Sequence, residues 1–228
     1  MISLINKFTG FKKGILIVHE GISGSGKSES IRMMYEYLLD SGYKTAVIEW
    51  NSNPVIRKLM RTMDNFKILT PVVYSLLQFI AFLISYITKI APLLNKNYIV
   101  IADRYIYTAF TRDAANGIGT SHDNLLYAFA RKPDVLFFHN THPKICFERI
   151  KNRGKKLFYM NRRILKSKAL KNKDLYYLKK LYSRYLSILY DLKTKSAINV
   201  FFVNSDSSLI PQYLEQHLKR TNYREYAS

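Results

Sequence analysis

The sequence predicts an α/β fold in which a five-stranded parallel sheet is flanked by helices. Three observations carry that prediction. Strand-like runs recur at residues 15–18, 44–50, 98–102, 135–139 and 199–203, and the uncharged run at 15–18 suits a parallel strand covered on both faces. Helical stretches alternate with them, as parallel crossovers require. The first two strands enclose a glycine-rich turn and one helix, which together form a βαβ unit.

A chain of 228 residues with 48% hydrophobic content suits one well-buried domain over residues 1–228. Cys146 is the only cysteine, which excludes an internal disulfide framework and a cysteine metal cluster. A cytoplasmic setting is the expectation that follows. Residues 1–13 read as a short lead-in whose apolar stretch is too weak for a secretory signal. The net charge of +20 favours anionic partners: nucleotides, nucleic acid or an acidic membrane surface. From Lys144 to Lys173 there are twelve Lys and Arg residues against a single acid, Glu148.

Taken in order, residues 15–18 form the first strand and residues 27–39 the first helix, ended by Asp40, Ser41 and Gly42. Between them, Gly21-Ile22-Ser23-Gly24-Ser25-Gly26-Lys27-Ser28 fits G-x-x-x-x-G-K-[ST]. Glycines let such a loop curl until its N–H groups converge on phosphate oxygens. The helix that follows adds its own free N–H groups and positive end. Gly21, Ser23, Gly24, Ser25, Gly26, Lys27, Ser28 and Glu29 are therefore the candidate nucleotide-phosphate site. Lys27 would reach the β/γ-phosphates and the Ser28 hydroxyl would hold Mg²⁺.

Residues 44–50 form the second strand. The polar turn Asn51-Ser52-Asn53-Pro54 follows at its end, where open α/β sheets bind ligands. A short helix over residues 55–62 carries Arg57, a candidate phosphate contact. Residues 68–88 hold no charged side chain and are long enough to span a bilayer. Gln78 and the hydroxyl residues within them favour a helix packed between the sheet and a second copy of the chain, and peripheral membrane contact is the alternative.

Residues 98–102 form the next strand. Asp103 lies at its carboxyl end, where an acid can orient Mg²⁺ and its waters, and Arg104 offers paired donors to a phosphate. Arg112 and Asp113 precede a loop at residues 116–119. His122 and Asp123 open a helical stretch over residues 124–130, and as a pair they are too weak to assign as a metal or general-base site. After strand 135–139, Thr141 is expected to cap a helix with Pro143 in its first turn. Residues 155–173 are expected to form a mobile basic cover that neutralises charge and excludes water. A long amphipathic helix over residues 174–191, the strand 199–203, a loop at residues 204–208 and a helix over residues 211–220 complete the chain.

These motifs together resemble the thymidylate kinase family of nucleoside monophosphate kinases, over about residues 14–215. The resemblance is carried by strand–GxxxxGKS, the strand ending in Asp103-Arg104-Tyr105, Pro133-Asp134-Val135 before a strand, and Arg153-Gly154 beside the basic stretch. The local sequence from Glu49 to Pro54 and from Thr108 to Gly117 is similar to that of a divergent thymidylate-kinase-like branch. The resemblance implies a P-loop kinase fold with a basic lid over about residues 150–173. It implies transfer of the ATP γ-phosphate to a deoxynucleoside monophosphate, commonly dTMP, with Mg²⁺, by a homodimer.

It also implies roles: Lys27 and the loop for ATP, Ser28 and Asp103 for the metal, and Arg104 for the acceptor phosphate. Arg153 becomes the lid arginine, and Asn204 to Ser207, with Asp206 among them, lie near adenine. Three places depart from the family pattern. Ser23 stands where an acid is usual, Gln78, Ala81 and Phe82 stand in place of a Phe and an Asp-Arg pair, and Arg112-Asp113 replaces Tyr-Gln. Phosphate machinery is thus kept while the acceptor pocket, including Arg57, Gln78, Arg112 and Asp113, is altered.

Four other functions compete. A GTPase would need a guanine-reading N/T-K-x-D motif, which is absent after the fourth strand. A helicase or nucleic-acid binder would need further elements and interleaved aromatic residues. A deoxynucleoside kinase shares the fold, but Arg104 and Arg57 favour an acceptor that already bears a phosphate. A non-catalytic, membrane-associated ATP-binding relative is opposed by the intact Lys27-Ser28 pair.

Overall fold

The computed structural model describes residues 14–50, 53–119, 121–155, 157, 160–195, 198–204, 210 and 214–215. The expected lead-in, the middle of the turn after the second strand, the loop containing Asp206 and most of the last helix lie outside them. Five parallel strands form the sheet: β1 (Ile15–Glu20), β2 (Thr45–Glu49), β3 (Ile99–Asp103), β4 (Val135–His139) and β5 (Asn199–Val203). Their order across the sheet is β2-β3-β1-β4-β5. The chain passes to one side of β1 first and then crosses to the other, so a crevice opens at the carboxyl end of β1.

β1 explains why its sequence has no polar residue until its end. All six of its residues are buried, flanked by β3 and β4. Ile15 and Ile17 point to one face of the sheet and Leu16 and Val18 to the other. Fully burying each of these side chains contributes roughly 1.5–3 kcal/mol. On the first face lies helix α1 (Lys27–Asp40), through Ile31, Met34 and Leu38. The larger core on the other face takes helices α3 (Pro71–Ser85), α4 (Ala91–Asn95), α5 (Ile106–Asn116) and α9 (Lys173–Lys195), through Phe82, Leu94, Tyr105, Leu178 and Tyr185. Helices α2 (Pro54–Asn65), α6 (Ser121–Phe129), α7 (Pro143–Asn152) and α8 (Arg162–Lys166) complete the described elements.

The helix that carries the uncharged stretch runs on past it, through Lys89 to Asn95. This continuous helical run, Pro71–Asn95, is 25 residues long, and by length and composition it is apolar enough to cross a membrane. Phe82, Tyr86, Ile90 and Leu94 enter the core. Residues four apart drift around a straight α-helix by about 40° per step. A wider π turn at Tyr86–Ile90 offsets that drift and keeps the row facing the sheet. The opposite face carries exposed Val72, Leu76, Ile80, Ile84 and Ile87.

One element goes beyond the sequence reading, and one expectation is corrected. Residues 105–119 contain a full helix, α5, that the pattern of the sequence did not reveal. Thr141 does not cap α7: His142 takes the N-cap position, its Nδ1 accepting from the Lys144 N–H at 3.4 Å. Thr141 is buried directly after β4, and its hydroxyl donates instead to the Ser25 carbonyl at 2.9 Å.

Candidate active site

The glycine loop connects β1 to α1 at the crevice. Gly24 has φ 83°, and a Cβ there would meet the Cys146 carbonyl oxygen at 2.6 Å, so the loop can pass α7 only without a side chain. Gly26 occupies the N-cap of α1 at φ 98°, and no side chain caps the helix. The Glu29 N–H donates to the Gly26 carbonyl at 3.2 Å, and the N–H groups before it, at the very start of the helix, are the ones suited to an anion. Lys27 folds back under the loop. Its Nζ donates to the carbonyls of Gly21 at 3.1 Å and Ile22 at 3.0 Å and approaches Ser25 Oγ at 3.4 Å. Burial pushes the Lys27 ammonium down to about 7, with the Arg104 charge adding to it.

β3 brings Asp103 and Arg104 beside this loop, because His19 pairs with Asp103 in the β1–β3 register. Asp103 Oδ1 is buried with no hydrogen-bond partner among the described residues. Ser28 is exposed in the first turn of α1. A carboxylate and a hydroxyl are hard oxygen donors, the type that suits Mg²⁺, and the unpartnered Asp103 oxygen fits that use. Arg104 has φ 73°, a left-handed backbone unusual for a non-glycine residue, and its N–H donates to the His19 carbonyl at 2.9 Å. Its Nη1 donates to the Gly21 carbonyl at 2.8 Å. Lys27 and Arg104 thus meet at the same loop oxygen, one from α1 and one from β3.

Other expected residues divide. Ser25 is buried in the loop, and Ser23 is half-buried. Glu29 turns outward to pair with Arg32 at 2.6 Å. Arg153 ends α7 in an exposed position. It is Arg149, one turn earlier, that reaches the loop, its Nη1 donating to the Gly24 carbonyl at 3.3 Å. Helical spacing alone could have raised Arg149, since it lies four residues before Arg153 on the same face. Asn204 accepts from Asn140 Nδ2 at 2.8 Å at the end of β5, and Asp206 lies outside the described residues.

Among the residues expected to bind the acceptor, Arg57 donates to Glu49 at 3.3 Å. Gln78 is buried, accepting from the Trp50 indole N–H at 2.8 Å and facing Met60 Sδ at 3.2 Å. Arg112 Nη1 donates to the Tyr74 hydroxyl at 2.6 Å. Asp113 is buried and accepts the Ser75 hydroxyl across the α3–α5 contact. Within the basic stretch, Met160 is buried, and Asn161 bonds Asn116 through its backbone N–H at 3.2 Å and its side-chain amide at 2.9 Å.

Sequence reasoning missed Glu20, Thr108 and Tyr185, which form a buried polar cluster behind Arg104. It also missed the His19–His139 pair, whose Nδ1 and Nε2 atoms lie 3.0 Å apart beneath the loop. Glu20 adjoins the glycine motif in sequence and was legible as a buried strand-end acid. Thr108 and Tyr185 come from distant elements and left no local signal.

The thymidylate kinase family model matches residues 19–200. A probable thymidylate kinase 2 of Saccharolobus solfataricus is 33% identical over 145 residues, covering 64% of this chain and 68% of that protein. The thymidylate kinase of Rickettsia typhi is 30% identical over 166 residues, covering 70% of this chain and 79% of that protein. The crystal structure of thymidylate kinase from Ehrlichia chaffeensis superposes with a TM-score of 0.64 at 16% identity, covering 91% of this chain and 99% of that one; that likeness establishes the shared fold.

Proposed function

Because the chain belongs to the thymidylate kinase family, we propose that it transfers the γ-phosphate of ATP to dTMP, giving ADP and dTDP. It is an ATP-dependent nucleoside monophosphate kinase of α/β fold. The observation that carries the reading is the convergence of Lys27 and Arg104 on the Gly21 carbonyl. That convergence supports a reading in which Lys27 serves the donor phosphates and Arg104 the acceptor phosphate.

An oxygen of the acceptor phosphate attacks the γ-phosphorus, the bond from that phosphorus to the bridging oxygen breaks, and ADP leaves. The acceptor phosphate dianion has no proton to lose, so positioning and charge neutralisation supply the catalysis. The backbone of Gly21, Ser23, Gly24, Ser25 and Gly26 cradles the donor phosphates, with Lys27 at the β/γ oxygens. Ser28 and Asp103 are the residues suited to hold Mg²⁺, which supplies positive charge at the β- and γ-oxygens when bound. Arg149 and Arg153 act from the lid side, over about residues 150–173, and Asn204 and Asp206 lie toward adenine. Arg57, Gln78, Arg112 and Asp113 surround the acceptor, with Arg112 the group nearest to hand for a base carbonyl.

We read residues 1–228 as one kinase domain and place it in the cytoplasm, where its nucleotides are. A homodimer formed through α3 is part of the same reading. Residues 68–88 bear no charge in a chain of net charge +20, so two copies can meet there without opposing like charges. The function is tested by coupled measurement of ADP release with purified protein, ATP and Mg²⁺. Release should depend on added dTMP and fall by about 10²–10³-fold in Lys27→Ala, the loss expected for one preorganised donor. Full activity in that variant would remove the loop from the reaction.

A further inference from the structure

Behind Arg104 lies a carboxylate that the transfer reaction itself does not use. Glu20 is the last residue of β1 and is fully buried. Its Oε1 accepts the backbone N–H groups of Tyr105 at 2.8 Å and Thr108 at 3.1 Å. These belong to the first turn of α5, which has no side-chain cap from its own N-cap residue. A strand residue therefore does the work of a helix cap. Its Oε2 accepts the hydroxyls of Thr108 at 2.7 Å and Tyr185 at 2.9 Å. Burial pushes the Glu20 carboxyl up, while Arg104 and these donors pull it down.

Both hydroxyls also face Arg104. Nη1 of Arg104 donates to Tyr185 Oη at 3.2 Å and approaches Thr108 Oγ1 at 3.5 Å, and the two hydroxyl oxygens lie 2.8 Å apart. Donating to Glu20 leaves each hydroxyl with lone pairs turned toward the guanidinium. No carboxylate is ion-paired to Arg104 among the described residues. Its orientation thus depends on two neutral hydroxyls and a loop carbonyl rather than on a direct ion pair. Tyr185 reaches this cluster from α9, the helix that leads directly out of the basic lid.

We propose that Tyr185, acting with Thr108 through Glu20, is a positioning residue that holds the Arg104 guanidinium toward the acceptor phosphate. The fixed hydroxyls limit the rotamers of a residue whose left-handed backbone is already costly, and the arrangement ties the end of the lid to the acceptor half of the site. The inference rests on the reading of Arg104 as the acceptor-phosphate ligand, and the test separates the two.

Steady-state kinetics would be measured against dTMP and against ATP for Tyr185→Phe, Thr108→Val, Thr108→Ser, Arg104→Ala and the Tyr185→Phe/Arg104→Ala double variant, with melting temperatures alongside. Tyr185→Phe should raise the KM for dTMP about tenfold, as loss of one hydrogen bond to a charged group does. The KM for ATP should stay within about twofold. Thr108→Val should do the same, giving the readout should Tyr185→Phe fail to fold, and Thr108→Ser should restore the wild-type value. In the Arg104→Ala background, Tyr185→Phe should add nothing, because its effect passes through the missing guanidinium. Arg104→Ala raising the dTMP KM while Tyr185→Phe leaves it unchanged, raises both KM values alike, or adds in full to Arg104→Ala would overturn the inference alone. An unchanged dTMP KM in Arg104→Ala itself would overturn the acceptor-phosphate reading and the inference with it.

Discussion

Three buried basic groups share the space under the phosphate loop, and burial acts on all of them in the same direction. Lys27 is held down to about 7 by burial, so a phosphate placed against it restores the charged form that the protein alone disfavours. His19 and His139 are held well below the ordinary histidine range, by burial first, with the Lys27 charge adding to it for both and the imidazole of His19 adding to it for His139. Both imidazoles stay neutral in the folded chain at pH values where they charge in the unfolded chain. The unfolded state then binds more protons below about pH 6.5, so stability falls as the solution is acidified. Each histidine contributes up to about 1.4 kcal/mol per pH unit to that slope. A His19→Phe/His139→Leu variant should therefore keep its melting temperature further into acid than the wild type, as followed by circular dichroism from pH 7 to pH 4. The same acid dependence in both proteins would remove the pair from the account.

At the scale of elements, α3 shows how one composition serves two surfaces. Tyr74, Ser75, Gln78, Ala81 and Phe82 face inward, whereas Val72, Leu76, Ile80 and Ile84 stand exposed in a row four residues apart. Ile80→Glu places a charge in the middle of that row without touching the core. It should convert a dimer to a monomer by light scattering while the melting temperature stays within a few degrees. A wild-type monomer would remove the dimer from the account, and a variant that remains dimeric would move the interface elsewhere. The central strands were legible because a strand covered on both faces needs uninterrupted apolar residues, and β4 and β5 match their expected bounds. α5 was not legible because Thr108, Thr111, Asp113 and Asn116 are buried on it, which breaks the apolar period. Its start is fixed by Glu20, 85 residues from Tyr105, and no local pattern records that bond. The glycine loop, Asp103 and Arg104 were readable because backbone geometry dictates their residue types locally. Arg149 displaced Arg153 at the loop because α7 ends with Arg153 turned to solvent.

For the whole molecule, sheet order decides which distant segments become neighbours. Placing β1 between β3 and β4 brings the loop after β1 against Asp103 and Arg104 on one side and His139 and Thr141 on the other. Lys27, Arg104 and Arg149 meet at that loop, and the net charge of +20 favours anionic ligands there. In the proposed reading, the departures at Gln78, Arg112 and Asp113 belong to the acceptor pocket, and the glycine loop keeps its G-x-x-x-x-G-K-S pattern. The most direct test is ³¹P NMR of the protein with ATP, Mg²⁺ and equal amounts of dTMP and thymidine. The account predicts that the dTMP resonance is consumed as the two resonances of dTDP and those of ADP appear, with thymidine untouched. ADP accompanied by new dTMP and no dTDP would contradict it, because the acceptor would then be the nucleoside and Arg104 would have no acceptor phosphate to meet.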